Sequence, residues 1–323
     1  MPLPTHFTLN TGAKIPAVGF GTWQAPNHEV IEAVKTALKT GYRHIDCAAI
    51  YRNEAAVGEG IKQSGVPRSD IFITGKLWNT KHKPEDVEAA LDKTLADLGT
   101  DYVDLYLIHW PVAFEPSDKW FPLDKEGVFS LADIDYVETY AAMEKLLATG
   151  KTKAIGVCNF TVNKLQDLLS KTKVVPAVNQ IEAHPYLQQP ALVEFCKSKN
   201  ILIEAYSPLG NNQTGEPKVI DDAKVKDLAA ATGLDTAQLV LSWAVQRGTV
   251  ALSKSVTASR IESNLKVQEL SAENFAAINA LEKHKRFNVQ SRWGYDIFEE
   301  LGEDTVKRIA KEAAPENLQK FNV

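Results

Sequence analysis

Residues 71–109 read IFITGKLWNTKHKPEDVEAALDKTLADLGTDYVDLYLIH, and the fold is legible in this stretch. It opens and closes on short, mostly apolar runs, 71–76 and 103–109, each ending in a polar residue, Lys76 or His109. Between them, 84–98 carries Val87, Leu91 and Leu95 on one helical face, with Glu85, Glu88 and Lys93 elsewhere. Nearly continuous apolar strands suit a parallel sheet covered on both sides, and a parallel sheet needs helical crossovers.

The same unit recurs along the chain. Strands are predicted over 17–20, 44–47, 71–76, 103–109, 154–158, 177–181, 202–206 and 249–252. Helices are predicted over 28–40, 54–64, 84–98, 134–149, 162–171, 190–199 and 236–247. Ahead of them, 7–9 and 14–15 flank the turn Asn10-Thr11-Gly12 and read as a hairpin. Strand-helix alternation without a linker predicts one α/β domain over 1–323, a (β/α)8 TIM barrel with an N-terminal β-hairpin, extra helices and long loops on its C-terminal face. The competing fold is a doubly wound open sheet. Its dinucleotide loop would be Gly19-Phe-Gly21-Thr-Trp-Gln24, but the third glycine and the acidic residue closing a second strand are missing.

Three stretches lack either period: 111–132, 207–222 and the tail 286–323. The first two follow strand ends, on the face where barrels place their chemistry, and are expected to wall a pocket.

Composition narrows the function. With 36 Lys and Arg against 41 Asp and Glu, the net charge is -5, which argues against a nucleic-acid partner. The lysine clusters at 81–83, 171–173 and 283–286 are short and scattered, and read as solvated surface. Cys47, Cys158 and Cys196 stand apart, an odd and sparse set that suits a reducing compartment. The N-terminus resembles no secretory signal, and no apolar run approaches the ~20 residues of a membrane span. A cytoplasmic monomer with no membrane partner is the expectation. The sequons at Asn159 and Asn212 are then taken as chance matches.

Four polar residues converge if the barrel is right. Asp46, Lys76 and His109 end successive strands, and Tyr51 lies just beyond the first of them. Alone, Asp46 would be read as a helix cap, Tyr51 as packing, and Lys76 or His109 as a satisfied polar group. Together they suit reduction of a carbonyl by hydride. A tyrosine OH supplies the proton if its pKa, ~10 unperturbed, is lowered by a nearby lysine. An aspartate offsets the burial of that lysine, and a neutral histidine polarises the carbonyl oxygen.

The segments Gly41-Tyr-Arg-His-Ile-Asp-Cys-Ala-Ala-Ile-Tyr-Arg-Asn-Glu54, Ile73-Thr-Gly-Lys-Leu-Trp-Asn79 and Asp101-Tyr-Val-Asp-Leu-Tyr-Leu-Ile-His-Trp-Pro111 resemble the aldo-keto reductases, over essentially the whole chain. The resemblance implies Tyr51 as proton donor, Lys76 and Asp46 as its tuning pair, and His109 as the orienting group. Relatives that reduce a steroid double bond carry glutamate in place of His109, so histidine implies aldehyde or ketone chemistry.

Cofactor residues follow from the same resemblance. Asn159 and Gln180 would hold the nicotinamide carboxamide, Tyr206 would stack on its ring, and Ser207 and Leu209 would meet the pyrophosphate, beside Gly21, Thr22 and Trp23. Lys254, Ser255, Val256, Thr257, Arg260 and Asn264 resemble the adenosine clamp. Two cations beside hydroxyls make a site for a 2′-phosphate, which favours NADP(H) over NAD(H). Three residues depart from the family: Cys158 for serine, Ser253 for proline and Ser263 for an acidic residue. They bear on the tightness of the cofactor grip.

For the substrate, Trp23, Trp78, Trp110, Phe114, Trp120 and Trp293 are candidate walls beside His109, whereas Trp243 lies in a helix and reads as core. Arg292, in a tail segment resembling the family's specificity loop, suits a polyol, sugar or carboxylated aldehyde, or else the surface. Within the family the resemblance is to fungal glycerol dehydrogenases and glyceraldehyde or aldose reductases, implying small carbonyl or alcohol substrates. A non-catalytic NADPH-binding subunit on the same barrel lacks a reason to carry the full tetrad. A metal-dependent hydrolase needs clustered ligands, and the seven histidines are dispersed, so no metal is expected.

Overall fold

The computed structural model describes residues 2–210 and 215–321, so the Asn212 sequon lies outside the described residues. Eight parallel strands close into a barrel: β3 (Val18–Gly21), β4 (His44–Asp46), β5 (Phe72–Leu77), β6 (Leu105–Ile108), β7 (Ile155–Cys158), β8 (Val178–Glu182), β9 (Leu202–Tyr206) and β10 (Val250–Ser253). They pair in chain order, and β10 joins both β9 and β3. The hairpin β1 (His6–Thr8) and β2 (Lys14–Pro16) stands ahead of them.

Alternation along the strands builds two cores. Ile45, Ile73, Tyr106, Ile108, Ile155, Val157 and Ile203 pack in one large buried cluster with residues of the surrounding helices. The other parity, Phe72, Leu105, Leu107, Ala154, Val178, Val250 and Leu252, joins Leu9 and Ile15, so the hairpin plugs one end of the bore. Further along the same strands the buried residues turn polar: His44, Asp46, Thr74, Lys76, Gln180 and Glu204. Gly19 makes room for one of them. A Cβ there would lie 2.6 Å from both His44 Nδ1 and Leu252 Cδ2. Gly19→Ala is therefore expected to cost about 1–3 kcal/mol of overpacking, read from denaturant unfolding.

The crossover helices are α1 (Asn27–Thr40), α2 (Glu54–Ser64), α3 (Val87–Leu98), α4 (Tyr136–Leu146), α5 (Val162–Lys171), α6 (Pro190–Ser198) and α8 (Thr236–Gln246). Their ends follow local chemistry. Before α8, the Asp235 carboxylate accepts from the Gln238 amide N–H, and the Gln238 side chain accepts from the Asp235 N–H. Three helices fall where the sequence signals none: α7 (Ala223–Thr232), α9 (Ala258–Asn264) and α10 (Ala272–Asn279).

The tail is the main departure from expectation. It is not irregular throughout: α11 spans Glu303–Phe321 and buries Val306, Ala310, Ala314 and Asn317. Those small and polar residues, with Pro315 inside the helix, disguise its periodicity. Asn317 Nδ2 donates to the Gly127 carbonyl (3.1 Å), which docks the helix on the 111–132 loop. That loop is itself folded back through the bridges Phe114–Leu131 and Leu123–Phe129. No single helix among the described residues is long and apolar enough to cross a membrane.

Candidate active site

The four strand-end residues meet at the polar end of the barrel. Lys76 Nζ donates to both carboxylate oxygens of Asp46 (2.7 and 2.6 Å) and to the Cys47 carbonyl (3.0 Å). It lies 3.4 Å from the Tyr51 hydroxyl. Asp46 is held from behind, since the Thr22 hydroxyl donates to its carbonyl (2.9 Å) and Asn53 Nδ2 to that of Thr22 (2.8 Å). His109 sets its ring against Tyr51 at 5.9 Å and Trp78 at 5.5 Å, centroid to centroid.

Burial decides the charge states. It would lower the Lys76 ammonium, but Asp46 first and Tyr51 next more than reverse this, and Lys76 stays charged. His109 is driven well below the usual histidine range by burial, then by Lys76 and His82, and is neutral. Tyr51 departs from expectation. Burial raises its pKa by more than Lys76 lowers it, so the phenol is held firmly protonated. Lysine moderates the effect of burial without overturning it.

Above these residues opens a cavity of about 1220 Å³, larger than the ~300–1,000 Å³ of ordinary small-molecule pockets. Tyr51, Trp23, Trp78, His109, Trp110 and Trp293 line one part of it. Gly21, Asn159, Gln180, Tyr206, Ser207 and Leu209 line it as well, and so do Lys254, Ser255, Val256, Thr257, Arg260 and Asn264. Three predicted contacts do not line it. Thr22 is buried on Asp46; Phe114 is fully buried behind Trp78 and Trp293, 5.9 and 5.1 Å between ring centroids; Trp120 offers its carbonyl to Trp78 Nε1 (2.7 Å).

Sequence reasoning also missed wall residues: Ile50, Phe121, Lys320 and Phe321. Phe321, at the end of α11, sits 4.6 Å from the Phe121 ring. The apolar spacing Val306, Ala310, Ala314 is the one signal that marks this helix. Arg292 lines the cavity but also faces Glu316 of α11 at 3.4 Å. The tail before that helix is pinned from below. The buried Glu182 carboxylate accepts from the backbone N–H groups of Phe287 and Asn288, both at 2.8 Å.

Asn159 and Ser207, just past β7 and at the end of β9, have left-handed backbone (φ 65° and 48°). Non-glycine residues adopt this at a cost of about 1–3 kcal/mol, and such strain gathers at binding sites. Asn159 Oδ1 accepts from the Tyr206 hydroxyl (2.7 Å), and its Nδ2 donates to the His109 carbonyl (3.0 Å) and meets Cys158 Sγ (3.2 Å). Asn159 is thus buried and committed inward, which closes its sequon to glycans. Gln180 Nε2 donates to Asp46 (2.8 Å) and Glu204 (2.7 Å), which uses both hydrogens. Ser253 also turns inward. Tyr42 donates to the Ile261 carbonyl, so the Ser253 hydroxyl donates to Tyr42 at 3.1 Å.

A closed barrel with a protonated phenol, a buried ammonium and a neutral imidazole near its mouth is chemically suited to a barrel oxidoreductase of carbonyl groups. The Aldo/keto reductase family profile matches residues 17–283, and the chain belongs to that family. It is 47% identical over 300 residues to glycerol 2-dehydrogenase (NADP(+)) of Saccharomyces cerevisiae, covering 88% of this chain and 95% of that one. It is 47% identical over 309 residues to D/L-glyceraldehyde reductase of Hypocrea jecorina, covering 90% and 93%. To human aldo-keto reductase family 1 member A1 it is 46% identical over 293 residues, covering 87% and 90%. The family uses nicotinamide cofactors on small carbonyl or alcohol substrates, so carbonyl reduction is the supported activity.

Proposed function

We propose that the protein is a single-domain NADPH-dependent reductase of small polyol- and sugar-type aldehydes and ketones such as glyceraldehyde, working also in reverse on the alcohols. The observation that carries this reading is the Tyr51–Lys76–Asp46 chain beside His109 at the cavity wall. Bound NADPH would supply a hydride to the carbonyl carbon. Tyr51 gives the developing alkoxide its proton, and Lys76 stabilises the tyrosinate left behind. Neutral His109 donates to the carbonyl oxygen and orients it.

The donor set fits the cofactor. Lys254 and Arg260 have no salt-bridge partner among the described residues and share the cavity wall with Ser255 and Thr257. Such cations suit a 2′-phosphate, at about 1.5–3 kcal/mol for each charge-assisted bond. Lys254→Ala with Arg260→Ala should narrow the NADPH over NADH preference in kcat/KM by about 10- to 100-fold or more. At the nicotinamide end, Gln180 and Asn159 have spent their N–H groups; their carbonyl oxygens accept from Cys158 Sγ (3.9 Å) and the Tyr206 hydroxyl (2.7 Å), and the second lone pair of each is left for the carboxamide NH2. The serine hydroxyl of relatives is replaced by the weaker Cys158 donor.

A panel of aldehydes and ketones, assayed with both cofactors, tests the substrate. Highest kcat/KM on glyceraldehyde-sized hydroxyaldehydes with NADPH is expected; preference for bulky apolar ketones or for NADH overturns it. The relatives named for glycerol and glyceraldehyde support the choice.

A further inference from the structure

Behind the tetrad the bore holds a second buried carboxyl, Glu204, which no step above uses. It sits at the middle of β9 and faces three strands. Gln180 Nε2 bridges Glu204 Oε2 (2.7 Å) to Asp46 Oδ1 (2.8 Å). On its other side, Glu204 Oε1 lies 3.3 Å from His44 Nε2, which also meets the Thr74 hydroxyl at 3.0 Å. A buried hydrogen-bonded line therefore runs from Glu204 through Gln180 and Asp46 to Lys76 and Tyr51, with His44, itself bonded to Thr74, against its far end and Glu204 Oε1 facing it without a hydrogen bond of its own.

The bore can hold only a limited charge. Lys76 and Asp46 neutralise each other; a second carboxylate beside them would be an uncompensated buried anion. His44 gives it no cation, because burial and then Lys76 push that histidine down to about 3. We propose that Glu204 is a positioning residue of the proton-transfer group: as a neutral carboxylic acid it accepts from Gln180, donates to His44, and so fixes the carboxamide that fixes Asp46. The proposal rests on the reading of Tyr51 and Lys76 above.

Burial, and then the Asp46 charge, raise the Glu204 carboxyl to about 8, with Gln180 and Lys76 opposing. The ionisable groups around it are Asp46 and His44 on β4, Lys76 on β5 and Cys158 on β7. β10, paired on its other side, carries Val250 to Ser253 and nothing that titrates; on β8, Glu182 is engaged by His184 and the tail backbone. Ionised Glu204 adds a negative charge to the line that must stabilise tyrosinate. Tyr51 becomes a poorer acid, and reduction slows as pH rises through about 8.

Glu204→Gln is the decisive variant, since an amide oxygen still accepts from Gln180 and its NH2 still donates to His44. Reduction kcat should match wild type within about threefold near pH 6.5, with the alkaline limb displaced upward by about one pH unit or more. Glu204→Leu removes the acceptor and should lower kcat about 10-fold or more, with the Gln variant restoring it. Superimposable pH profiles of wild type and Glu204→Gln would overturn the assignment. Infrared spectroscopy gives a second reading without turnover. The wild-type minus Glu204→Gln difference should show a carboxylic acid C=O band at pH 6.5 that converts to carboxylate through about pH 8. No acid band in that difference overturns the proposal. Glu54, a buried carboxyl raised to about 7 and bonded to Thr94, is common to both proteins and cancels. An active Tyr51→Phe protein would count against the reading of Tyr51 instead, and leaves the infrared result standing.

Discussion

Tyr51→Phe is expected to lower kcat for aldehyde reduction by about 10²- to 10⁴-fold, the range lost with a general acid. The phenyl ring preserves the edge contact with His109, and the Lys76–Asp46 pair does not depend on the hydroxyl. NADPH binding, read by nicotinamide fluorescence, should therefore change little. The split between binding and turnover is diagnostic: a hydroxyl used only for packing would cost stability or affinity rather than kcat. Because burial holds the phenol protonated, titration of Tyr51 itself should put no alkaline limb on wild-type reduction below the ordinary tyrosine range, and reverse oxidation, which needs tyrosinate, should improve toward high pH.

Lys76→Met should produce the largest combined loss. The ammonium is fully buried and makes bonds of 2.6 to 3.0 Å to Asp46 and the Cys47 carbonyl. Its removal leaves Asp46 as an unpaired buried carboxylate, a loss of about 3–5 kcal/mol in unfolding free energy. Activity should fall by about 10²-fold or more, because nothing then offsets the burial of the tyrosinate. Adding Asp46→Asn separates the two effects. The double variant removes the orphan charge and should regain much of the stability while staying inactive. Recovery of activity along with stability would show that Lys76 serves the fold alone.

Much of this site is legible in the chain because a barrel converts sequence position into spatial position. Strands of three to six residues with apolar flanks declare themselves, and a polar residue at each end must then rise toward one mouth: Asp46 and His109 line it, and Lys76 lies against Asp46. Boundaries slip by a residue or two where backbone pairing, not side-chain pattern, ends a strand; β5 runs on to Leu77 and β8 to Glu182. Other features depend on neighbours distant in sequence. Phe321 becomes a cavity wall only because α11 folds back over residues 111–132. Tyr51 has a raised rather than lowered pKa because burial is a property of the assembled site. Glu204 reads as one polar interruption in an apolar strand until Gln180 and His44 are seen on either side of it.

The central claim is that this chain moves a hydride from NADPH to a carbonyl carbon while Tyr51 protonates the oxygen. A single turnover with NADPH deuterated at the transferable C4 position and excess DL-glyceraldehyde tests it directly. Prediction: one equivalent of cofactor is oxidised per site, and glycerol is recovered with deuterium on the former carbonyl carbon. NADPH that binds but stays reduced across a panel of aldehydes, or product without the label, would contradict it.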